Sequence, residues 1–91
     1  MGHARQRPKR LAEKLLQIRL ALGLSQTEMH RRLDVEDEIL YTRISDYELG
    51  KNEPPLEILL SYARVAGVCM DTLVDDQLDL PNKLPAKPKH S

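Results

Sequence analysis

The stretch that decides the fold is residues 24–51, which reads LSQTEMHRRLDVEDEILYTRISDYELGK. Ser25 with Glu28 three residues later is the capping-box arrangement, so a helix is expected from about Gln26 to Leu33. A second helix is expected to end at Gly50, because glycine commonly terminates helices. A tight helix pair of this kind can place its second member in the major groove of B-DNA, where base edges are chemically distinguishable.

Apolar spacing predicts how this pair packs and where a helix precedes it. The upstream helix is expected to begin near Pro8 and to end at Gly23, with an apolar stripe of Leu11, Leu15, Ile18 and Leu22. Asp34 and Asp37 are both candidate caps for the second helix of the pair. The inner side of that helix is predicted to consist of Ile39, Leu40, Ile44 and Tyr47.

Two further helices are predicted downstream. One opens after Pro54-Pro55 and ends at Gly67, with a broad apolar face of Leu56, Leu59, Leu60, Ala63 and Ala66. A short helix around residues 71–74 is expected to cover the core with Leu73 and Val74. No strand pattern and no internal repeat occur, so the predicted fold class is all-α with five helices.

Composition limits the class of protein. The 91 residues carry 14 basic and 14 acidic side chains, one cysteine and no apolar run near the roughly 20 residues of a membrane helix. The basic N-terminus is not followed by the apolar segment of a secretion signal, so the cytoplasm is the predicted location, with no membrane partner. The predicted organisation is a disordered basic arm over residues 1–7, one domain over 8–77 and a disordered Pro/Lys-rich tail over 78–91.

Charge is distributed unevenly although the net charge is zero. Residues 1–35 carry eight basic and three acidic side chains, whereas residues 36–80 carry three basic and eleven acidic ones. This asymmetry can give a neutral protein a basic surface for nucleic acid, because charges act over a Debye length of about 8 Å. The alternative is that these charges only coat a solvated surface.

Several short motifs occur together and in order: Ile18-Arg19, Leu24-Ser25-Gln26, Ile44-Ser45-x-Tyr47-Glu48-x-Gly50-Lys51, Glu53-Pro54-Pro55-Leu56 and Ala66-Gly67-Val68. From about Leu15 to Val74 the chain resembles the lambda-repressor-like, Xre/Cro-type helix-turn-helix family. The resemblance implies a five-helix domain that regulates transcription, as a repressor, by binding palindromic operators in double-stranded DNA as a homodimer. It implies no cofactor, no metal and no catalytic residues.

The resemblance also implies roles for individual residues. Those matched to base-contacting positions of the family are Tyr41, Thr42, Arg43 and Asp46. Those matched to contacts with the DNA backbone are Ser25, Gln26, Ser45, Lys51 and Asn52. Arg19 and Glu48 match a structural ion pair. Two alternatives stay open, namely partial burial of Tyr41 and an ion pair of Arg43 with Glu36 or Glu48.

The chain departs from the family pattern in the turn between the two helices. Eight residues separate Val35 from Ile44 where the family has about four, so either the second helix is extended at its N-terminus or the turn is a longer loop. The inserted residues 36–38 are all acidic, which weakens DNA binding unless they point away or sit favourably at a helix N-terminus. His30 replaces a small residue at the helix crossing and Asp34 replaces the usual glycine of the turn, so a wider crossing is expected.

Catalysis is not expected. The histidines and Cys69 have no metal-site spacing, Cys69 is expected to be a small buried residue, and no phosphate-binding loop or nucleophile motif occurs. The alternative function is a protein-interaction module that uses the acidic turn, or an antitoxin-like regulator that combines both activities. The resemblance implies dimerisation, which is expected through the fifth helix and nearby apolar residues such as Val68, Met70 and Leu73. The basic residues Arg5, Arg7, Lys9 and Arg10 either add DNA contacts or form a solubilising terminus.

Overall fold

A computed structural model gives the fold and describes residues 8–86. Within this range the chain forms five helices and no strand, which confirms the predicted all-α class. The helices are α1 (Leu11–Leu22), α2 (Gln26–Arg32), α3 (Thr42–Glu48), α4 (Leu56–Ala66) and α5 (Met70–Val74). The predictions for residues 1–7 and for 87–91, including those for Arg5 and Arg7, lie outside the described residues.

Helix α1 forms the centre of the domain because it packs against α3, α4 and α5. The four residues of its predicted stripe are 0–4 % exposed, and Gly23 ends the helix with a left-handed φ of 72°. The N-terminus of α1 has no cap from its own side chains. Instead, the carboxylate of Asp76 accepts hydrogen bonds from the backbone N–H groups of Lys9 at 2.8 Å and Arg10 at 3.0 Å.

A buried lysine joins α1 to the end of α5. Lys14 is completely buried, and its Nζ donates to the carbonyl oxygens of Thr72 and Asp75, both at 2.8 Å. These carbonyls lie in the last turn of α5 and just after it, where backbone acceptors lack partners within the helix. Burial lowers the pKa of the Lys14 ammonium, with a further contribution from the nearby charge of Arg10.

Helix α2 begins as its sequence predicts. The Oγ of Ser25 accepts from the Glu28 N–H at 3.1 Å, and the Glu28 carboxylate accepts from the Ser25 N–H at 2.9 Å, so both halves of the capping box are present. Asp34 follows the helix with a positive φ of 61°. Aspartate is among the few residues other than glycine that adopt this conformation readily, which explains how it can occupy a turn position where glycine is usual.

The four extra residues form a longer turn and do not extend α3, which begins only at Thr42. The N–H groups of Glu38 and Ile39 both donate to the Val35 carbonyl at 3.0 Å, so the insertion closes on itself. The side chain of His30, which is largely buried, lies with Nε2 2.6 Å from the Ile39 carbonyl. The predicted inner position of Leu40 was wrong, because this turn precedes the helix and leaves Leu40 73 % exposed.

The predicted apolar face of α4 was partly wrong. Leu59, Ala63 and Ala66 are buried as predicted, but Leu56 is 71 % exposed and Leu60 is 38 % exposed. Ile58 and Tyr62 occupy the core side in their place. The helix carries two overlapping apolar stripes, and turning Tyr62 inward buries the larger aromatic surface.

The chain after α5 also packs against the domain, as far as residue 86. Leu80, Leu84 and Ala86 are partly buried against the core, and the Ala86 N–H donates to the Ala66 carbonyl at 3.3 Å. Pro85 passes so close to Gly67 that a Cβ added there would lie 3.1 Å from the Pro85 Cβ. No helix within residues 8–86 is long and apolar enough to span a membrane.

Candidate nucleic-acid interface

Helix α3 has one buried flank and one exposed flank. Ile44 and Tyr47 are 0 and 4 % exposed, and the helix packs against α1 and α2 through this side. Thr42 and Arg43 are exposed on the other side. A helix held in this way presents polar side chains outward from a fixed backbone, which is the requirement for reading a groove.

A buried polar cluster fixes the end of α3 to α1 and α2. Arg19 and Glu48, the predicted ion pair, meet with Nε 2.6 Å from Oε2 and Nη2 3.0 Å from Oε1. Their side chains are only 14 and 5 % exposed, and the hydrogen bond to Glu48 raises the pKa of the Arg19 guanidinium. Gln26 donates to Glu48 Oε1 at 3.1 Å, and Arg19 Nη1 donates to the Leu24 carbonyl at 3.0 Å. The start of α2 and the end of α3 are therefore tied to the same carboxylate.

Tyr62 of α4 lies close enough to this cluster to feel its charges. Burial raises the pKa of the Tyr62 phenol well above its usual range, and the charge of Glu48 adds to the effect. The hydroxyl has no hydrogen-bond partner among the described residues. Because a buried hydroxyl without a partner costs free energy, the Tyr62 hydroxyl lowers the stability of the domain.

The residues predicted to contact bases differ in their environments. Tyr41, just before α3, is 54 % exposed, so its neighbours cover nearly half of its surface. Thr42 is exposed, whereas Asp46 is partly covered. The exposed residues are therefore concentrated at the first turn of α3.

The residues predicted to contact the DNA backbone lie at the start of α2, within α3 and in the loop after α3. Ser25 is exposed, Gln26 is half-buried with its amide on Glu48, and Ser45 is half-buried in the middle of α3. Lys51 is exposed in the loop after α3, followed by the half-buried Asn52. Nothing in the structure tests a contact with DNA for any of them, and these roles remain predictions.

Arg43, Asp46 and Asn52 form a second polar cluster that the sequence had not revealed. Arg43 Nη1 lies 3.6 Å from Asp46 Oδ2, so its ion pair is with Asp46 and not with Glu36 or Glu48. The Asn52 amide satisfies both polar atoms when its oxygen accepts from Arg43 Nη1 at 3.0 Å and its nitrogen donates to the Lys51 carbonyl at 3.2 Å. The opposite amide orientation gives one bond of 3.5 Å to Asp46. The spacing of three residues between Arg43 and Asp46 was the available sequence signal.

Acidic residues outnumber basic ones in the helix pair and its flanking loop. Residues 25–53 contain four basic and eight acidic side chains. Several of the acids are engaged locally, since Glu48 pairs with Arg19, Asp46 pairs with Arg43 and Glu28 caps α2. The acids at positions 36–38 are all exposed in the turn before α3. The electrostatic balance of this face therefore depends mainly on that turn.

Three other predictions need correction or restriction. Cys69 is exposed and not buried, because it lies at the N-cap of α5 rather than in the helix. Leu73 is fully buried in the core and cannot form a dimer surface, while Val68 and Met70 are partly buried against the same core. Arg10 is already engaged by Asp79 and by the Asp76 carbonyl.

Among residues 8–86, no group of three or more His, Cys, Asp or Glu side chains is placed to hold a metal ion.

Comparison with known families places these observations in context. A family model described as Helix-turn-helix matches residues 15–73, from the second turn of α1 into α5. No curated protein and no solved structure gives a significant match to the chain. The matched range covers more than half of the chain and includes both helices of the pair. The chain therefore belongs to the lambda-repressor-like, Xre-type helix-turn-helix family of DNA-binding transcription regulators.

Proposed function

We propose that this protein is a sequence-specific transcriptional repressor that binds double-stranded DNA as a homodimer and reads the major groove with α3. The observation that carries this proposal is the division of α3 into a buried flank of Ile44 and Tyr47 and an exposed flank that begins at Thr42 and Arg43. Arg19 and Glu48 fix the far end of the helix, so little ordering is required on binding.

The surrounding residues supply groups for contacts with phosphates. Lys51 is an exposed cation immediately after α3, and Ser25, Gln26 and Ser45 offer neutral polar groups nearby in the fold. Contacts of this type position a protein on the duplex without reading its sequence. These residues therefore fix the position of the protein on the duplex. Tyr41, Thr42 and Arg43, at the start of α3, discriminate between bases.

Selection from randomised duplexes with the full-length protein tests this proposal. We expect a palindromic motif whose half-sites lie about 10 base pairs apart, because two recognition helices of a dimer enter successive grooves about 34–36 Å apart. Arg43→Ala should weaken binding to that motif at least about tenfold, since a good base contact contributes roughly 1–3 kcal/mol. Arg64→Ala, which removes an exposed cation from α4, is the matched control and should bind normally.

Salt dependence separates contact with phosphates from other association. Affinity for the selected duplex should fall steeply between about 50 and 200 mM salt, because each neutralised phosphate releases a counterion. Sedimentation of the protein–DNA complex should give two chains per palindrome. Repression requires that the selected operator, placed over a promoter, reduce expression of a reporter. A salt-independent affinity, or selection that yields no motif, would contradict the DNA-binding proposal.

A second candidate function is supported by the inserted turn. Leu40 is 73 % exposed, two residues after the exposed acids at positions 36–38 and beside the half-exposed Tyr41. An exposed apolar residue with acidic neighbours is suited to a protein partner with a basic, apolar segment. This alternative describes a protein-interaction module, or an antitoxin-like regulator that also binds DNA. Replacing the three acids by their amides should tighten DNA binding if DNA meets this face, and should leave it unchanged if the turn serves a protein partner away from DNA.

A further inference from the structure

We propose that Asp46 and Asn52 are positioning residues that hold the guanidinium of Arg43 so that it reads a guanine in each half-site. This inference rests on the proposed DNA-binding function and deepens it by naming the base that is recognised. It also changes the roles predicted for Asp46 and Asn52 from direct DNA contacts to support of Arg43.

The geometry of the cluster restrains one corner of the guanidinium. Arg43 Nη1 faces Asp46 Oδ2 at 3.6 Å and the Asn52 oxygen at 3.0 Å. Asp46 lies one turn further along α3, and Asn52 lies in the loop that follows the helix. The two supports approach from different segments, so together they limit both the swing and the rotation of the side chain. At the same time the Arg43 side chain stays 51 % exposed.

The free edge of Arg43 has the donor pattern that guanine requires. A guanidinium carries five N–H donors in a planar fork, and the two supports use only Nη1. Within residues 8–86, no hydrogen bond of Nε or Nη2 is observed, so this edge of two parallel donors remains available. Guanine presents two acceptors, O6 and N7, in the major groove, and a bidentate arginine is the commonest specific contact to it.

Asp46 is less suited to read a base itself. An ionised carboxylate can only accept hydrogen bonds, and among the base edges in the major groove only cytosine N4 and adenine N6 donate. The Asp46 carboxylate is 30 % exposed and its Oδ2 faces Arg43. Supporting the arginine therefore uses the charge of Asp46 in a place where it would otherwise repel phosphates.

The test compares base preference with general affinity. Wild type, Arg43→Ala, Asp46→Asn and Asn52→Ala are each used in selection from randomised duplexes, and binding to an unrelated duplex is measured alongside. Glu38→Gln is the matched control, because it removes one exposed acid close to α3 in the chain but outside the cluster. Circular dichroism melts show that each variant is folded.

We expect the wild-type motif to contain a guanine whose preference disappears in Arg43→Ala. Asp46→Asn should lower that preference by about tenfold and tighten binding to the unrelated duplex, since it removes a negative charge. Glu38→Gln should tighten unspecific binding similarly and leave the guanine preference unchanged. If Asp46 had only a structural role, Asp46→Asn would not lower the guanine preference while tightening binding to the unrelated duplex.

The outcomes that overturn the inference are distinct from failure of the proposed function. If wild type selects a motif but Asp46→Asn and Asn52→Ala both keep the guanine preference within about threefold, the positioning roles are refuted. If the Arg43→Ala motif retains every guanine of the wild-type motif, Arg43 is not the reader. If wild type selects no motif, the DNA-binding proposal itself fails and this inference fails with it. Should Asp46→Asn not fold, Asn52→Ala decides alone.

Discussion

Replacing Glu48 with glutamine keeps the shape of the buried cluster and removes its negative charge. Glu48 accepts three hydrogen bonds, two from the Arg19 guanidinium and one from the Gln26 amide. Glutamine has only one acceptor oxygen, and its NH2 group cannot accept, so at least one hydrogen bond from Arg19 is lost. A hydrogen bond to a charged group contributes about 1.5–3 kcal/mol, so the expected cost is about 2–3 kcal/mol. The Arg19 side chain is only 14 % exposed, so solvent replaces little of this loss.

Urea unfolding followed by far-UV circular dichroism measures the effect. We expect Glu48→Gln to lower the free energy of unfolding by about 2–3 kcal/mol, which leaves a domain of ordinary stability folded. The matched control is Asp46→Asn, which breaks an ion pair whose side chains are 51 and 30 % exposed and should cost less than about 0.5 kcal/mol. Equal unfolding midpoints for the two variants would refute the argument that burial makes the Arg19–Glu48 pair important.

Three further predictions concern groups outside the proposed interface. Tyr62→Phe should raise the free energy of unfolding by about 1 kcal/mol, because it removes a buried hydroxyl without a partner among the described residues; a loss in urea denaturation would show that the hydroxyl is bonded. Lys14→Met keeps the aliphatic stem but leaves two carbonyls unpaired, so a loss of about 2 kcal/mol is expected by the same assay, and no loss would contradict the role of its Nζ. Hydrogen bonds from the Lys9 and Arg10 N–H groups lower the pKa of Asp76, so its contribution to stability is present above the ordinary value of about 3.9 and is lost as pH falls through the lower folded value. Wild type and Asp76→Asn should therefore differ in urea midpoint at about pH 6 and converge toward about pH 2, and a constant difference would contradict this linkage.

Local sequence signals predicted the end of α1 and the start of α2 well, but not the start of α3, which neither Asp34 nor Asp37 caps. The capping box of Ser25 and Glu28 and the stop at Gly23 depend on residues only a few positions apart, and both are present as predicted. The stripe of α1 was also predicted fully, since all four of its residues are buried. Such features are determined by short-range geometry and can be read without knowledge of the fold.

Features that depend on distant parts of the chain could not be predicted in this way. Helix α4 offers two apolar stripes, and only packing against the rest of the domain decides that Tyr62 faces inward while Leu56 faces solvent. Lys14 bonds to carbonyls 58 and 61 positions away, and backbone acceptors carry no sequence signal.

Only part of the candidate site was predicted, for the same reason. The Arg19–Glu48 pair followed from the family resemblance, whereas the support of Arg43 by Asn52 depends on how the loop after α3 folds back. The length of the insertion was visible in the sequence, but its closure on the Val35 carbonyl was not. The family roles of Thr42 and Lys51 remain predictions that only DNA-binding experiments can test.

The cap that Asp76 provides for α1 determines where the chain can be shortened. A fragment cut at residue 73, where the family match ends, would lack the carboxylate that holds Lys9 and Arg10 at the start of α1. One of the two carbonyls that bind Lys14 would be lost as well. It would also lack Leu80 and Leu84, which cover part of the core. A fragment that keeps these contacts must therefore extend beyond the helix-turn-helix homology, and expression trials should keep the chain at least to residue 86.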